Sequence, residues 1–142
     1  RYIRRQRQMC IRDSFHNDSP LSEDPFFKSK VAQIELDLSA LEMTELRGLA
    51  AEREGKGPGA ESSLLKIKGT ELQQRLTSLA LEAAGHEAIP FGGPYGFKDQ
   101  EVSSSKAAQL TAAKYLNFRK VTIYGGTNEI QKNIIAKAVL GL

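Results

Sequence analysis

From Phe26 onward the apolar positions step by three and four. Phe27, Val31, Ile34, Leu38 and Leu41 fall on one stripe of an α-helix, and Leu36, Met43, Leu46 and Ala50 on a second stripe. A helix with two apolar faces is expected to be sandwiched between neighbours. Its polar face carries Lys30, Gln33 and Asp37, and Gly55, Gly57, Pro58 and Gly59 make continuation costly. A second helix is expected to start at a Ser62 or Ser63 cap and to run through LLKIKGTELQQRLTSLALEAAG, with Leu65, Leu72, Leu76, Leu79 and Ala83 on one stripe. Gly69 inside it costs about 1 kcal/mol relative to alanine, so a close helix crossing is expected there, and Gly85 ends it.

The segment HEAIPFGGPYGFKDQEV is too rich in proline and glycine for a long regular element, and its apolar content predicts a packed loop. Ser103, Ser104 and Ser105 then offer a cap for a third helix, AAQLTAAKYLNFRKVTI, which Gly125 and Gly126 break. Thr127 caps a fourth, NEIQKNIIAKAVL, with Glu129 where the helix dipole favours an acid and Lys137 where it favours a base. Four helices, no strand pattern and no internal repeat predict an all-α, antiparallel helical bundle.

Residues 1–25 have no usable period and read as an unstructured tail. Within them, RQMCIRDS resembles a translated sequencing adaptor, so residues 1–14 are expected to be an assembly scar. This changes the meaning of the charge. The chain of 142 residues carries +3, but Arg1, Arg4, Arg5, Arg7 and Arg12 give the first twelve residues +5 and leave −2 for the remainder. A basic arm that binds nucleic acid rests on the tail alone, and the basic balance selects no partner. With 40% hydrophobic residues, 26% charged residues and no run approaching the ~20 apolar residues of a bilayer span, the composition is that of a globular domain. A single cysteine, Cys10, cannot form an internal disulfide, which makes the cytoplasm the expected compartment.

Candidate chemistry is sparse. His16 lies in the tail, and His86 has no Cys or His at metal-ligand spacing. Glu42 with Glu45, and Glu71 with Arg75, share helix sides as solvated charges commonly do, and no histidine follows at the Glu-x-x-His step of a di-iron bundle. No metal site is expected. The junction IYGGTNEIQ is different: two glycines, a threonine cap and a fresh helix N-terminus leave backbone N–H groups open to an oxygen-rich or anionic group. A tight interhelical turn with a cap accounts for the same residues.

The stretch IYGGTNEIQKNIIAKAVLGL resembles the C-terminal signature of bacterial acyl-CoA dehydrogenases, flavoproteins that oxidise acyl-CoA thioesters to enoyl-CoA. ESSLLKIKGTELQQRLTSLALEAAG resembles the corresponding helix of pimeloyl-CoA-dehydrogenase-like large subunits, and the Phe26 to Arg53 helix fits too. The resemblance covers about residues 25 to 142 and sets the expected domain at 26–142, behind the tail. It implies FAD as cofactor and acyl-CoA as substrate. A carboxylate takes the α-proton while a β-hydride goes to the flavin, with hydrogen bonds to the thioester carbonyl stabilising the enolate.

In many members that base is the Glu of Tyr-Glu-Gly-Thr. Here Gly125 stands at that position, so no catalytic residue is assigned in this chain, and the base is expected on an earlier helix. The resemblance places the Gly126 backbone beside the acyl-CoA and Thr127, Asn128 and Glu129 against FAD. Glu82, Gly85 and His86 match a second flavin-contacting segment, usually Gln-x-x-Gly-Gly, with Glu82 replacing the Gln and His86 the second Gly. The bundle's first helix, an N-terminal helical domain and a middle β-domain would precede Phe26, so the fragment alone is expected to bind FAD weakly and to be inactive. Full-length relatives imply fatty acid metabolism, a tetrameric homo- or hetero-oligomer and electron-transfer flavoprotein as acceptor. The alternative is a non-catalytic helical subunit or interaction module of a heteromeric dehydrogenase, which the glycine at position 125 suits.

Overall fold

The computed structural model describes residues 15–16, 19–55, 59–89 and 106–141. Among these the architecture is all-α, with four helices: α1 (Pro25–Arg53), α2 (Glu61–Ala84), α3 (Lys106–Asn117) and α4 (Asn128–Leu140). Short 3-10 helices span Leu21–Glu23, Gly85–Ala88 and Phe118–Thr122. The Ser103–Ser105 cap and most of the loop after Ile89 lie outside the described residues.

The segment expected as a tail is not patternless where it is described. Strands β1 (Phe15–His16) and β2 (Ser19–Pro20) pair antiparallel, Phe15 opposite Pro20 and His16 opposite Ser19. Leu21 follows in a 3-10 turn and is buried. Asp24 then starts α1: its Oδ1 accepts from the Phe26 and Phe27 amides at 2.8 and 3.4 Å. Pro25, whose missing N–H would be unsatisfied there anyway, fills the first helical position. An aspartate cap next to proline is a local start signal, and it draws the ordered chain back ahead of Phe26.

The chain forms two compact units, one of residues 1–33 and 76–118, the other of residues 34–75 and 119–142. In the first, α1 meets α2 through an ion pair between Lys30 and Glu82 at 2.5 Å, and the 3-10 helix Gly85–Ala88 packs on α3. Phe27, Ala88 and Ala108 are buried in this unit. In the second, Asp37 of α1 pairs with Arg75 of α2, and Leu41 lies beside Gly69. Positions rise along α1 as they fall along α2, so the two segments run antiparallel. Ile34, Ser63, Ile67, Val121 and Asn128 are the buried residues of this unit.

Three expectations change. The two stripes of α1 are not both buried: Leu36, Met43 and Leu46 of the second are exposed, and so is Leu38 of the first, whereas Phe27 and Ile34 of the first are buried. At Gly69 an added Cβ would meet the Leu41 Cδ2 at 3.9 Å, an ordinary van der Waals separation, so the crossing does not demand glycine. Ser62 does not cap α2 by accepting; it donates from inside the first turn to the Gly59 carbonyl at 3.0 Å, and Ser63 is buried. The third helix also narrows early, passing into a 3-10 turn at Phe118. There Gln74 and Arg119 bond each other's backbone carbonyls at 3.1 and 3.0 Å, and Val121 turns inward.

Candidate functional site

The junction between the Phe118–Thr122 turn and α4 is held from one stripe of α2. Lys66, Thr70 and Gln74 recur at a spacing of four, which aligns them along one side of that helix. Lys66 Nζ donates to the Thr122 carbonyl at 3.3 Å and to Asn128 Oδ1 at 2.7 Å. Thr70 Oγ1 shares its one proton between the Ile67 carbonyl at 2.9 Å and the same Asn128 oxygen at 3.3 Å. Ser63 and Ile67 of the same helix are buried.

Between Thr122 and Asn128 the backbone turns through two glycines in the left-handed region, Gly125 at φ +68° and Gly126 at φ +80°. Side chains at either position would be strained. Their surroundings differ, however. At Gly125 a Cβ would meet nothing within 4 Å, whereas at Gly126 it would press on Gln131 Nε2 at 2.7 Å. Gln131 folds back over the pair and donates from Nε2 to the Gly125 carbonyl at 3.3 Å. Ile123 and Tyr124 stand exposed just before the glycines.

At the start of α4, Thr127 Oγ1 accepts from the Ile130 amide at 3.3 Å, as an N-cap does. Glu129 lies in the first turn of the same helix. Its carboxyl is held below the usual carboxylate range, first by its own backbone N–H and next by the Thr127 hydroxyl; weak desolvation opposes the shift, and Lys132 and Lys66 add smaller attraction. Of the N–H groups read from the sequence as open to a ligand, that of Ile130 is taken by Thr127, and the Glu129 carboxylate stands beside the rest as a negative charge. A free anion would meet the repulsion of that carboxylate. A hydroxyl-bearing group can instead donate to that carboxylate, so these residues suit a polyol better than a phosphate.

The expected contact residues thus differ in kind. Thr127 and Glu129 lie at the surface end of the junction. Asn128 is 6% exposed, and its side-chain oxygen is already engaged by Lys66 and Thr70. Glu82, Gly85 and His86 belong to the other unit. There Glu82 is exposed and paired with Lys30, and Gly85 opens a 3-10 helix at φ +53° with nothing within 4 Å of an added Cβ. His86 is exposed, and its carbonyl accepts from the Ile89 amide at 3.1 Å. Among the described residues no three His, Cys, Asp or Glu side chains converge as metal ligands would, and no helix is long and apolar enough to cross a membrane. Lys66, Thr70, Gln74 and Gln131 were not legible in the sequence; the first three carried one advance signal, the polar spacing of four along α2, and Gln131 on α4 carried none.

Comparison with known proteins extends this picture. The family described as acyl-CoA dehydrogenase, C-terminal domain, matches residues 8–140. That match starts well ahead of Phe26, so the family pattern reaches into residues expected to fall outside it. The acyl-CoA dehydrogenase IpdE1 of Mycobacterium tuberculosis is 29% identical over 124 residues, which cover 85% of this chain and 28% of that protein. The protein of the same name from Mycolicibacterium smegmatis is 27% identical over 121 residues, covering 85% and 26%. A crystal structure of the ChsE4-ChsE5 complex from Mycobacterium tuberculosis superposes with a TM-score of 0.69 at 20% identity, over 99% of this chain and 34% of that one. The likeness in structure concerns the fold, and the chain spans about a third or less of each of these proteins. Because the family pattern runs through almost the whole sequence, including the helices that build the glycine junction, the chain belongs to the acyl-CoA dehydrogenase C-terminal domain family.

Proposed function

We propose that the chain is the FAD- and acyl-CoA-contacting helical domain of an acyl-CoA dehydrogenase, with residues 26–142 as its working part. In the whole enzyme FAD would take the β-hydride of an acyl-CoA thioester as α,β-desaturation proceeds. This chain's share is positional. Thr127 and Glu129 offer a hydroxyl and a carboxylate to the hydroxyl-bearing part of FAD, and the Gly126 backbone borders the thioester. Asn128 serves the same segment from inside, its carboxamide holding the start of α4 in place. Glu82, Gly85 and His86 form a second, weaker flavin contact. Electron-transfer flavoprotein is the expected acceptor, and a tetramer the expected assembly, in the cytoplasm.

The observation that carries this reading is the pair of left-handed glycines leading into a side-chain-capped helix, fixed from α2 by hydrogen bonds. Gly125 supplies no proton acceptor, so the chain holds and orients but does not abstract the α-proton. The same fact favours a second reading, a non-catalytic helical subunit of a heteromeric dehydrogenase. The solved structure with the matching fold is itself a complex of two differently named proteins. Adding FAD to the purified chain tests the proposal: quenching of flavin fluorescence at high protein concentration is expected, without turnover of acyl-CoA. No quenching at any concentration would overturn it, and a yellow stoichiometric complex bleached by an acyl-CoA would overturn the assignment of no catalytic residue.

A further inference from the structure

Lys66 touches both ends of the turn at once. Its ammonium bonds the Thr122 carbonyl where the 3-10 helix stops and the Asn128 carboxamide where α4 begins. The intervening residues 123–127 contain the two positive-φ glycines, and glycine loses more conformational freedom on ordering than any other residue. A turn built this way does not hold itself. Gln131 restrains its middle through the Gly125 carbonyl, but only Lys66 bonds before and after it among the described hydrogen bonds.

The choice of lysine is informative. Lys66 is half-buried, and no carboxylate lies at ion-pair distance from it among the described residues. Its acceptors are two neutral oxygens. A cation kept partly out of water on neutral acceptors must make hydrogen bonds that offset its lost hydration, and bonds from a charged donor are roughly twice as strong as neutral ones. Thr70, one turn further along α2, directs a second donor at the same Asn128 oxygen. The arrangement commits a charge to the location of one backbone segment.

We infer that Lys66 is a positioning residue: acting through Asn128 and the Thr122 carbonyl, it sets the backbone geometry of Gly126 to Glu129 that the FAD contact uses. The inference rests on the FAD reading of that segment, so its test has two arms. In the whole chain, Lys66→Met keeps the length of the side chain and removes the donors. Amide hydrogen exchange of residues 123–131 is expected to quicken about ten-fold, with exchange in α1 unchanged, and FAD affinity to fall about ten-fold. Lys66→Arg, which keeps charge and donors, restores both toward the parent values. Adding Asn128→Leu to Lys66→Met changes neither much further, because both remove the same tie.

Unchanged exchange in Lys66→Met overturns the inference. So does quickened exchange with FAD affinity equal to that of the parent. A parent chain that shows no FAD binding overturns the FAD reading, and the exchange arm then decides by itself whether Lys66 holds the turn. Should Lys66→Met lose its helical circular dichroism, Thr70→Ala replaces it: a smaller quickening in the same residues supports the tie, and none contradicts it.

Discussion

At the Gly125–Gly126 turn, side chains from α2 and α4 converge: Lys66 and Thr70 on the Asn128 carboxamide, Lys66 also on the Thr122 carbonyl, Gln74 on the Arg119 carbonyl and Gln131 on the Gly125 carbonyl. The Gly85–Ala88 segment in the other unit has only one buried side chain, Ala88, and an exposed ion pair just ahead of it, Lys30 with Glu82. Both segments open on a left-handed glycine, and both are proposed here as flavin contacts. They differ in preorganisation. A ligand meeting the first finds groups already fixed, whereas one meeting Glu82 must first compete with Lys30. Binding to fixed groups loses less in ordering, so on the proposed function the junction is expected to be the stronger contact of the two.

Substitutions can break that contrast. Asn128→Leu should have the largest effect, lowering stability by about 2 kcal/mol in urea unfolding, because it takes from the half-buried Lys66 ammonium its shorter acceptor and leaves it the Thr122 carbonyl alone. Thr127→Ala should lower it by about 1 kcal/mol through loss of the cap on Ile130. Gly69→Ala, beside the tethering stripe, should raise stability by about 0.5 to 1 kcal/mol, since helix propensity improves and the new methyl meets Leu41 at an ordinary distance. Glu82→Gln should change it by no more than about 0.5 kcal/mol, the Lys30 pair being exposed on both sides. An Asn128→Leu effect as small as that of Glu82→Gln would erase the distinction between the two segments.

The smallest effect is a pH dependence confined to the junction. Glu129 has a folded-state pKa below its unfolded value, so its contribution is complete above the ordinary carboxylate range and is lost as pH falls through the depressed value. Amide exchange at the start of α4, corrected for intrinsic rates, should therefore quicken on acidification, and Glu129→Gln should remove the change. The Gly85–Ala88 segment should show no matching transition from this source.

The sequence carries its local signals plainly and its long-range ones hardly at all. Thr127 before a helical run and the breaks at Gly55 and Gly85 each act on their own neighbours, and the helix ends there fall within a residue or two of where these residues place them. Asp24 with Pro25 is a start signal of the same kind, hidden by the irregular composition around it. The tethers were not legible. Polar residues at a spacing of four on a helix ordinarily face water, and only partners about 45 to 60 positions away make Lys66, Thr70 and Gln74 something else. Apolar periodicity also predicts a buried face without saying what covers it, which is why Leu36, Met43 and Leu46 read as core yet stand exposed. At the site, the glycines and cap of the junction could be read in advance, but the inward turn of Asn128 and the lowered pKa of Glu129 could not.

The central claim is that the glycine junction is a flavin contact. Recording amide chemical shifts of the isotopically labelled chain during a titration with FAD tests it most directly. The account predicts that the amides of Gly126, Thr127 and Glu129 shift first and furthest, with smaller shifts at Gly85 and His86. Shifts that leave residues 125–131 untouched while FAD binds elsewhere would contradict it.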